Sequence, residues 1–288
     1  EKFPGAVDTY SLESMMQDKK ALQDCTSHFL GQNFSKASNI NFSDENGKLE
    51  YAWTTSWGLT TRVIGSLVMV HSDDNGLILP PKIAPSHIVI IPVIHSDDVK
   101  DKVLSVCEKL KKDLEDIVYH NNTLSVEIDL RDIRGGEKKW SWIKKGVPLI
   151  LEIGPKDIEK DSVFLIQRNT FEKKSLKIED FIKNIKKLLD DIQNEMFEKA
   201  KKFQNENTKE ITSKDEFYKF FASKNSGKQE IHAGFAKTYF CLDEKHEKKI
   251  KEDLSVTARC ILLDDFKEGK CIFCSKSTKT KAIFAKAY

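Results

Sequence analysis

Cys271 and Cys274 stand with two residues between them, and Cys241 and His246 with four. Paired donors at such short spacing can close a tetrahedral zinc site, built here from thiolates and at most one imidazole. Four protein ligands leave no open position for water, so a metal held there is structural. Cys260, in "TARCI", is a rival fourth ligand, and reduced thiols without metal are the plain alternative. A second place invites different chemistry. The run "WTTSWGLTTRVIGSLVMVHSDDNGLILPP", Trp53 to Pro81, holds one arginine, Arg62, in an otherwise almost uncharged stretch. A guanidinium buried there is costly unless something planar and anionic meets it. That partner is either a carboxylate such as Asp73 or Asp74, or a ligand.

Elements must hold these groups in place. Residues 6–15 alternate polar and apolar, and 19–30 do so again, which predicts antiparallel strands. "DENGK" at 44–48 is a turn, and "LEYAWTTSW" after it reads as one further strand. From Thr60 to His71 the residues Val63, Ile64, Leu67, Val68 and Val70 fit one helical face, with Thr60 or Thr61 as N-cap. A strand, a turn at Gly58 and then a helix put Arg62 in the first helical turn, able to reach back over the sheet. "LPPKIAPS" at 79–86 is a proline-rich joint. The apolar run "HIVIIPVI" beyond it predicts a buried parallel strand. A helix over 97–119, the strand "LSVEID", a helix near 136–145 and the strands "VPLILEIG" and "SVFLIQR" follow. Strands alternating with helices predict an α/β domain with a mixed sheet. Residues 178–222 read as long, lysine-rich helices, and 231–288 as a small cysteine-bearing domain.

At 288 residues and 33.0 kDa the chain is long enough for two or three domains. Its 32% charged and 39% hydrophobic residues predict a soluble, globular, cytoplasmic protein. The net charge of +2 makes no strong case for a polyanion partner. Residues 181–288 do carry 23 basic against 17 acidic side chains, where a phosphate backbone can lie. Lysine outnumbers arginine 42 to 5, a bias that an AT-rich genome produces, so most lysines are solvated surface and the five arginines are the better clue. No apolar run approaches the ~20 residues of a membrane span. The chain begins without Met and already alternates like a strand, which predicts a piece of a larger protein.

The blocks "EKFPGAVDTY", "LQDCTSHFLGQNFSKA", "TTSWGLTTRVIGSLVMVHSDDNGLILPPKIAP" and "KGVPLILEIGPKD", with the terminal "FAKAY", together resemble prolyl-tRNA synthetases of the archaeal and eukaryote-like type. These are class II aminoacyl-tRNA synthetases. The resemblance implies an α+β and α/β multidomain chain. Residues 1–86 would be part of an antiparallel class II catalytic sheet, 87–180 an α/β anticodon-binding domain, and 181–288 a helical linker and small zinc-type α+β tail domain. It also implies ATP-dependent attachment of proline to its tRNA through a prolyl-adenylate, with ATP and Mg2+. "GLTTR" resembles class II motif 3, which makes Arg62 a catalytic, ATP-binding residue. A flat, permanently charged guanidinium can stack on adenine and still reach phosphate oxygens. By the same resemblance Gln23, Thr26 and Thr60 contact ATP, while His28, Ser56 and Gly58 line the proline pocket. Trp57 is either its floor or ordinary core.

For the anticodon the matching positions are Lys145, Glu152, Lys156 and Arg168, able to read guanine edges. The family often has Glu and Arg where this chain has Ile143 and Ile150, which removes two contacts; Trp140 or Trp142 is either a stacking substitute or ordinary core. At His246 the family usually has a second cysteine; the swap keeps a metal ligand and implies a Cys3His zinc site of Cys241, His246, Cys271 and Cys274. The terminal tyrosine of the family folds back toward the active site. Class II motifs 1 and 2, which lie upstream in the family, are not in these residues. The expectation is therefore a chain inactive alone, part of a homodimer formed through its N-terminal portion. Two rivals remain: a non-catalytic, synthetase-derived RNA-binding protein, and a zinc-stabilised module that binds another protein.

Overall fold

Alternating polar and apolar residues at the start produce a hairpin, β1 (Asp8–Met15) paired antiparallel with β2 (Ala21–Gly31). The computed structural model describes residues 2–222, 233–264 and 266–288. They pack as two compact units, residues 1–70 with 203–288, and residues 71–202. This grouping differs from the three expected segments, since the first and last fall in one unit.

In the first unit a short helix α1 (Asn33–Ala37) leads to β3 (Asn41–Ser43), which pairs with β4 (Leu49–Tyr51) across the "DENGK" turn. Then β5 (Thr54–Leu59) pairs antiparallel with β2, giving the sheet order β1-β2-β5. The single strand expected through "LEYAWTTSW" is thus two, because its halves pair with different partners. Gly58 lies inside β5 and not at a turn; the chain turns at Thr60 and Thr61 into α2 (Arg62–His71). Only Ser66 of that helix is buried, and Ile64 of its apolar face is 64% exposed.

The second unit is built on five strands in the order β12-β11-β10-β6-β9. In chain order its elements are β6 (Ile88–Pro92), α3 (Asp97–Glu115), the tight pair β7 (Val118–Tyr119) and β8 (Asn122–Thr123), and β9 (Val126–Ile128). These lead into α4 (Gly135–Lys145), β10 (Leu149–Ile153), α5 (Pro155–Glu159), β11 (Ser162–Gln167), β12 (Lys173–Lys177) and α6 (Ile178–Glu206). Strands β9, β6 and β10 run parallel, and β11 and β12 antiparallel to their neighbours. The sheet is therefore mixed, as the alternation predicts. Every residue of β6 is buried, which is why that strand reads as a continuous apolar run. One face packs Val103, Leu110 and Leu114 of α3 with Phe181, Ile185 and Leu189 of α6; the other packs Ile143 against Val89, Ile150 and Ile166. α4 stops at Gly146, whose φ of 75° is left-handed and where a Cβ would lie 2.7 Å from Leu77 backbone atoms.

The rest of the first unit comprises β13 (Thr208–Glu210), α7 (Lys214–Phe221), β14 (Phe235–Tyr239), α8 (Glu244–Leu254), β15 (Thr257–Ile261), the short pair β16 (Gly269–Lys270) and β17 (Ser277–Thr278), and β18 (Lys281–Ala285). The sheet order is β13-β14-β18-β15. Phe217, Phe240 and Phe284 meet edge to face in its core, at ring separations of 5.1–5.3 Å. A second apolar cluster joins Met15 and Ala21 of the hairpin to Phe235, Ile283 and Ala285. The chain end continues this contact. Ala21 N–H donates to Lys286 O, Tyr288 N–H donates to Ala21 O, and the Tyr288 hydroxyl reaches Asp18 Oδ2 at 2.6 Å.

Candidate active site and metal centre

Strand pairing decides which side chains share a face. Thr26 lies opposite Gly58 and His28 opposite Ser56, so these four positions face one way. Strict alternation would turn Gln23 to the other face, because it is an odd number of residues away. The register slips between Leu12 and Glu13, pairing Leu12 with Cys25 but Glu13 with Gln23. That bulge at Asp24 returns Gln23 to the face of Thr26 and His28. Gly58 has a purpose there, since a Cβ would stand 3.2 Å from Thr26 Oγ1. His28 Nδ1 lies 3.0 Å from Thr9 Oγ1, and the Phe3 ring is 4.7 Å from the imidazole.

Arg62 is exposed, so it carries no burial cost. Its Nη1 donates to Gln23 O at 3.2 Å, and its backbone N–H reaches Thr60 Oγ1 at 3.3 Å. The guanidinium therefore crosses from the start of α2 to β2, and most of its donors remain available. Asp73, the carboxylate weighed as its partner, is gripped by Arg168 instead. Trp57 is 77% exposed and is not core.

Four side chains of types that can bind a metal converge in the same unit. The ligand atoms of Cys241, His246, Cys271 and Cys274 all lie within 4.8 Å of one another. Cys241 Sγ is 3.6 Å from both His246 Nδ1 and Cys274 Sγ. A tetrahedron with zinc–sulfur bonds of ~2.3 Å has edges of ~3.8 Å, so the spacing fits that ion. Burial pushes the Cys241 thiol up to about 11, so a metal bound there would have to displace its proton. Cys260, on β15, is paired with Ile283 of β18 and packs in a different cluster, so it lies outside the group that His246 joins.

At the anticodon-type sheet the expected residues separate. Lys145 is exposed with its Nζ 4.3 Å from the Trp142 ring, and Lys156 is exposed on α5. Glu152 pairs with Lys139 at 2.9 Å. Arg168 is 0% exposed. Four of its five N–H donors go to both Asp73 oxygens and to the carbonyls of Ile143 and Gly76, and its full burial keeps it from a base. Arg168 holds Asp73 well below the usual carboxylate range. Trp142 is likewise committed, donating to Asp129 Oδ2 at 2.8 Å, whereas Trp140 is 45% exposed. Asp129 was not anticipated from the sequence. It also accepts two bonds from the Arg131 guanidinium and one from the Arg131 backbone N–H, and these bonds, with the one from Trp142, hold its carboxyl down at about 2. Ile143 and Ile150 are buried, consistent with apolar residues at those positions.

A family model described as "Anticodon binding domain" matches residues 87–188, and one described as "Prolyl-tRNA synthetase, C-terminal" matches residues 226–288. The chain is 47% identical over 294 residues to proline–tRNA ligase 2 of Anaeromyxobacter dehalogenans (strain 2CP-C), and 49% identical over 289 residues to proline–tRNA ligase of Rhodopirellula baltica. In both cases the whole of this chain is covered. The chain belongs to the prolyl-tRNA synthetases. It corresponds to their C-terminal portion and spans 58% and 56% of the two relatives' lengths. Crystal structures of the prolyl-tRNA synthetase of Cryptosporidium parvum, one with L-proline and AMP and one with halofuginone and AMPPNP, superpose with TM-scores of 0.85 and 0.86 at 36% identity. They cover all of this chain, which spans 60% and 59% of theirs. Among the described residues of this synthetase chain no helix is long and apolar enough to cross a membrane.

Proposed function

We propose that this chain contributes the motif 3 half of a proline-activating site, an anticodon-reading domain and a zinc-stabilised tail to a proline–tRNA ligase. The observation that carries the reading is the bulge at Asp24, which gathers Gln23, Thr26, His28, Ser56 and Gly58 on one sheet face beside Arg62. The reaction joins the proline carboxylate to the α-phosphorus of ATP, expels pyrophosphate, and then passes the prolyl group to a hydroxyl at the 3′ end of tRNA. Arg62, planar and permanently charged, lies against the nucleotide and holds phosphate charge at a fixed distance. Gln23, Thr26 and Thr60 supply neutral oxygens to ATP, and Gln23 can also face the magnesium that neutralises the phosphates. His28 orients proline over Ser56 and Gly58, where the missing side chain leaves space for the ring.

Cys241, His246, Cys271 and Cys274 would hold zinc with no coordination position open, and so fix the tail without entering the reaction. Lys145, Lys156 and Glu152, with Trp140 as a stacking surface, read the anticodon, and Arg168 supports the sheet beneath them. Proline-dependent ATP–pyrophosphate exchange and prolyl-tRNA formation by the protein at its natural length test the reading. Both activities are expected. Binding of prolyl tRNA without any proline-dependent exchange would replace it with the non-catalytic RNA-binding alternative.

A further inference from the structure

One side chain links the C-terminal sheet directly to the bulge on the proposed nucleotide face. Arg259, on β15, donates from Nε to Glu13 Oε2 at 3.0 Å and from Nη2 to Glu13 Oε1 at 3.2 Å. Its remaining nitrogen, Nη1, donates to Thr257 Oγ1 at 3.2 Å. The Glu13 side chain is 4% exposed, so this is a nearly buried pair that joins residues 246 apart in sequence. Glu13 is also the cross-strand partner of Gln23 at the bulge, and Gln23 Nε2 lies 3.5 Å from Glu13 Oε1. An ionised carboxylate only accepts hydrogen bonds, so the amide can turn only its NH2 end toward Glu13. The amide oxygen of Gln23 then points away, as an acceptor or a magnesium-facing group. Burial, with a smaller push from Asp24, raises the Glu13 carboxyl above its ordinary value, and Arg259 opposes that rise. A protonated Glu13 would donate, and the orientation of Gln23 would no longer be determined.

We propose that Arg259 is a positioning residue for nucleotide binding, acting through Glu13 to hold Gln23 with its carbonyl oxygen toward ATP and its magnesium. The inference rests on the reading of Gln23 as an ATP contact. It gives the tail domain a part in catalysis beyond stability.

A double-mutant cycle tests it, read as the KM for ATP in proline-dependent ATP–pyrophosphate exchange by the protein at its natural length. Gln23→Ala and Arg259→Met are each expected to raise that KM about tenfold, and the double variant no further than either one. Arg259→Lys keeps the charge without the fork and is expected to recover only part of the loss. Effects that multiply in the double variant overturn the relay alone. So does an Arg259→Met whose only change is a lower thermal unfolding midpoint. An unchanged KM in Gln23→Ala overturns the relay together with the ATP reading of this face. Should Arg259→Met fail to fold, Glu13→Gln carries the same expectation, because an amide at 13 accepts either end of Gln23.

Discussion

The sheet of residues 1–70 and the sheet of residues 71–202 both depend on an arginine, and they use it in opposite ways. Arg168 is sealed in the second unit with four of its five donors bonded to Asp73 and two carbonyls. Arg62 is exposed and bonded to one backbone carbonyl. The surroundings follow the same division. The second sheet buries apolar side chains on both faces, whereas the first leaves Leu12 64%, Trp57 77% and Leu59 73% exposed. A guanidinium whose donors are filled holds a fold together. One whose donors are free is prepared for an anion.

Removing each arginine should separate the two cases. Arg168→Ala is expected to destabilise residues 71–202 by about 3–5 kcal/mol, read by chemical denaturation, because it empties a fully buried site and removes the ion pair with Asp73 together with the bonds to the Ile143 and Gly76 carbonyls. A loss below about 1 kcal/mol, with anticodon binding weakened instead, would return Arg168 to the binding surface.

The cluster of Cys241, His246, Cys271 and Cys274 sharpens the contrast within the first unit, because a metal held there by four side chains would be structural too. Zinc at a thousandfold excess over its Kd should stabilise the tail by about 4 kcal/mol, and a chelator should remove that increment. One equivalent of bound metal is expected by elemental analysis, falling to none in Cys271→Ser. Full metal content in Cys271→Ser would contradict the four-ligand site.

A smaller effect belongs to Asp129. Its carboxyl is depressed to about 2 in the folded chain, chiefly by the bonds from Arg131. A depressed carboxyl stabilises above the unfolded value of ~4, and that stability is lost as pH falls from there toward 2. Solvent reaches Arg131 and screens the pair, so the increment is about 1 kcal/mol. Asp129→Asn should flatten this part of the stability–pH curve of residues 71–202; an unaltered acid limb would show that Arg131 does not hold the carboxylate.

What could be read beforehand follows the range of the physics. The continuous apolar run of β6 announces burial on both faces, and the alternation of β1 and β2 announces a hairpin, because both signals are local. The lysine-rich β12 gives no such signal, since an edge strand places charge where a core strand places valine. Asp73 and Arg168 lie 95 residues apart, so nothing in either neighbourhood shows that they meet. The resemblance of "GLTTR" and "LQDCTSHF" located Arg62, Gln23, Thr26 and His28. It could not show the bulge that turns Gln23 to the face of the others, because a bulge is a property of two strands. Rare arginine was a sound clue of a different kind. Arg131, Arg168 and Arg259 each make a two-bond fork with one carboxylate.

The most direct test of the account is Arg62→Ala in proline-dependent ATP–pyrophosphate exchange, with unfolding followed alongside. The account predicts a fall of at least about a hundredfold in kcat/KM for ATP, with an unfolding midpoint nearly unchanged because the exposed side chain makes a single bond, to the Gln23 carbonyl. Exchange retained at the unsubstituted rate would contradict it.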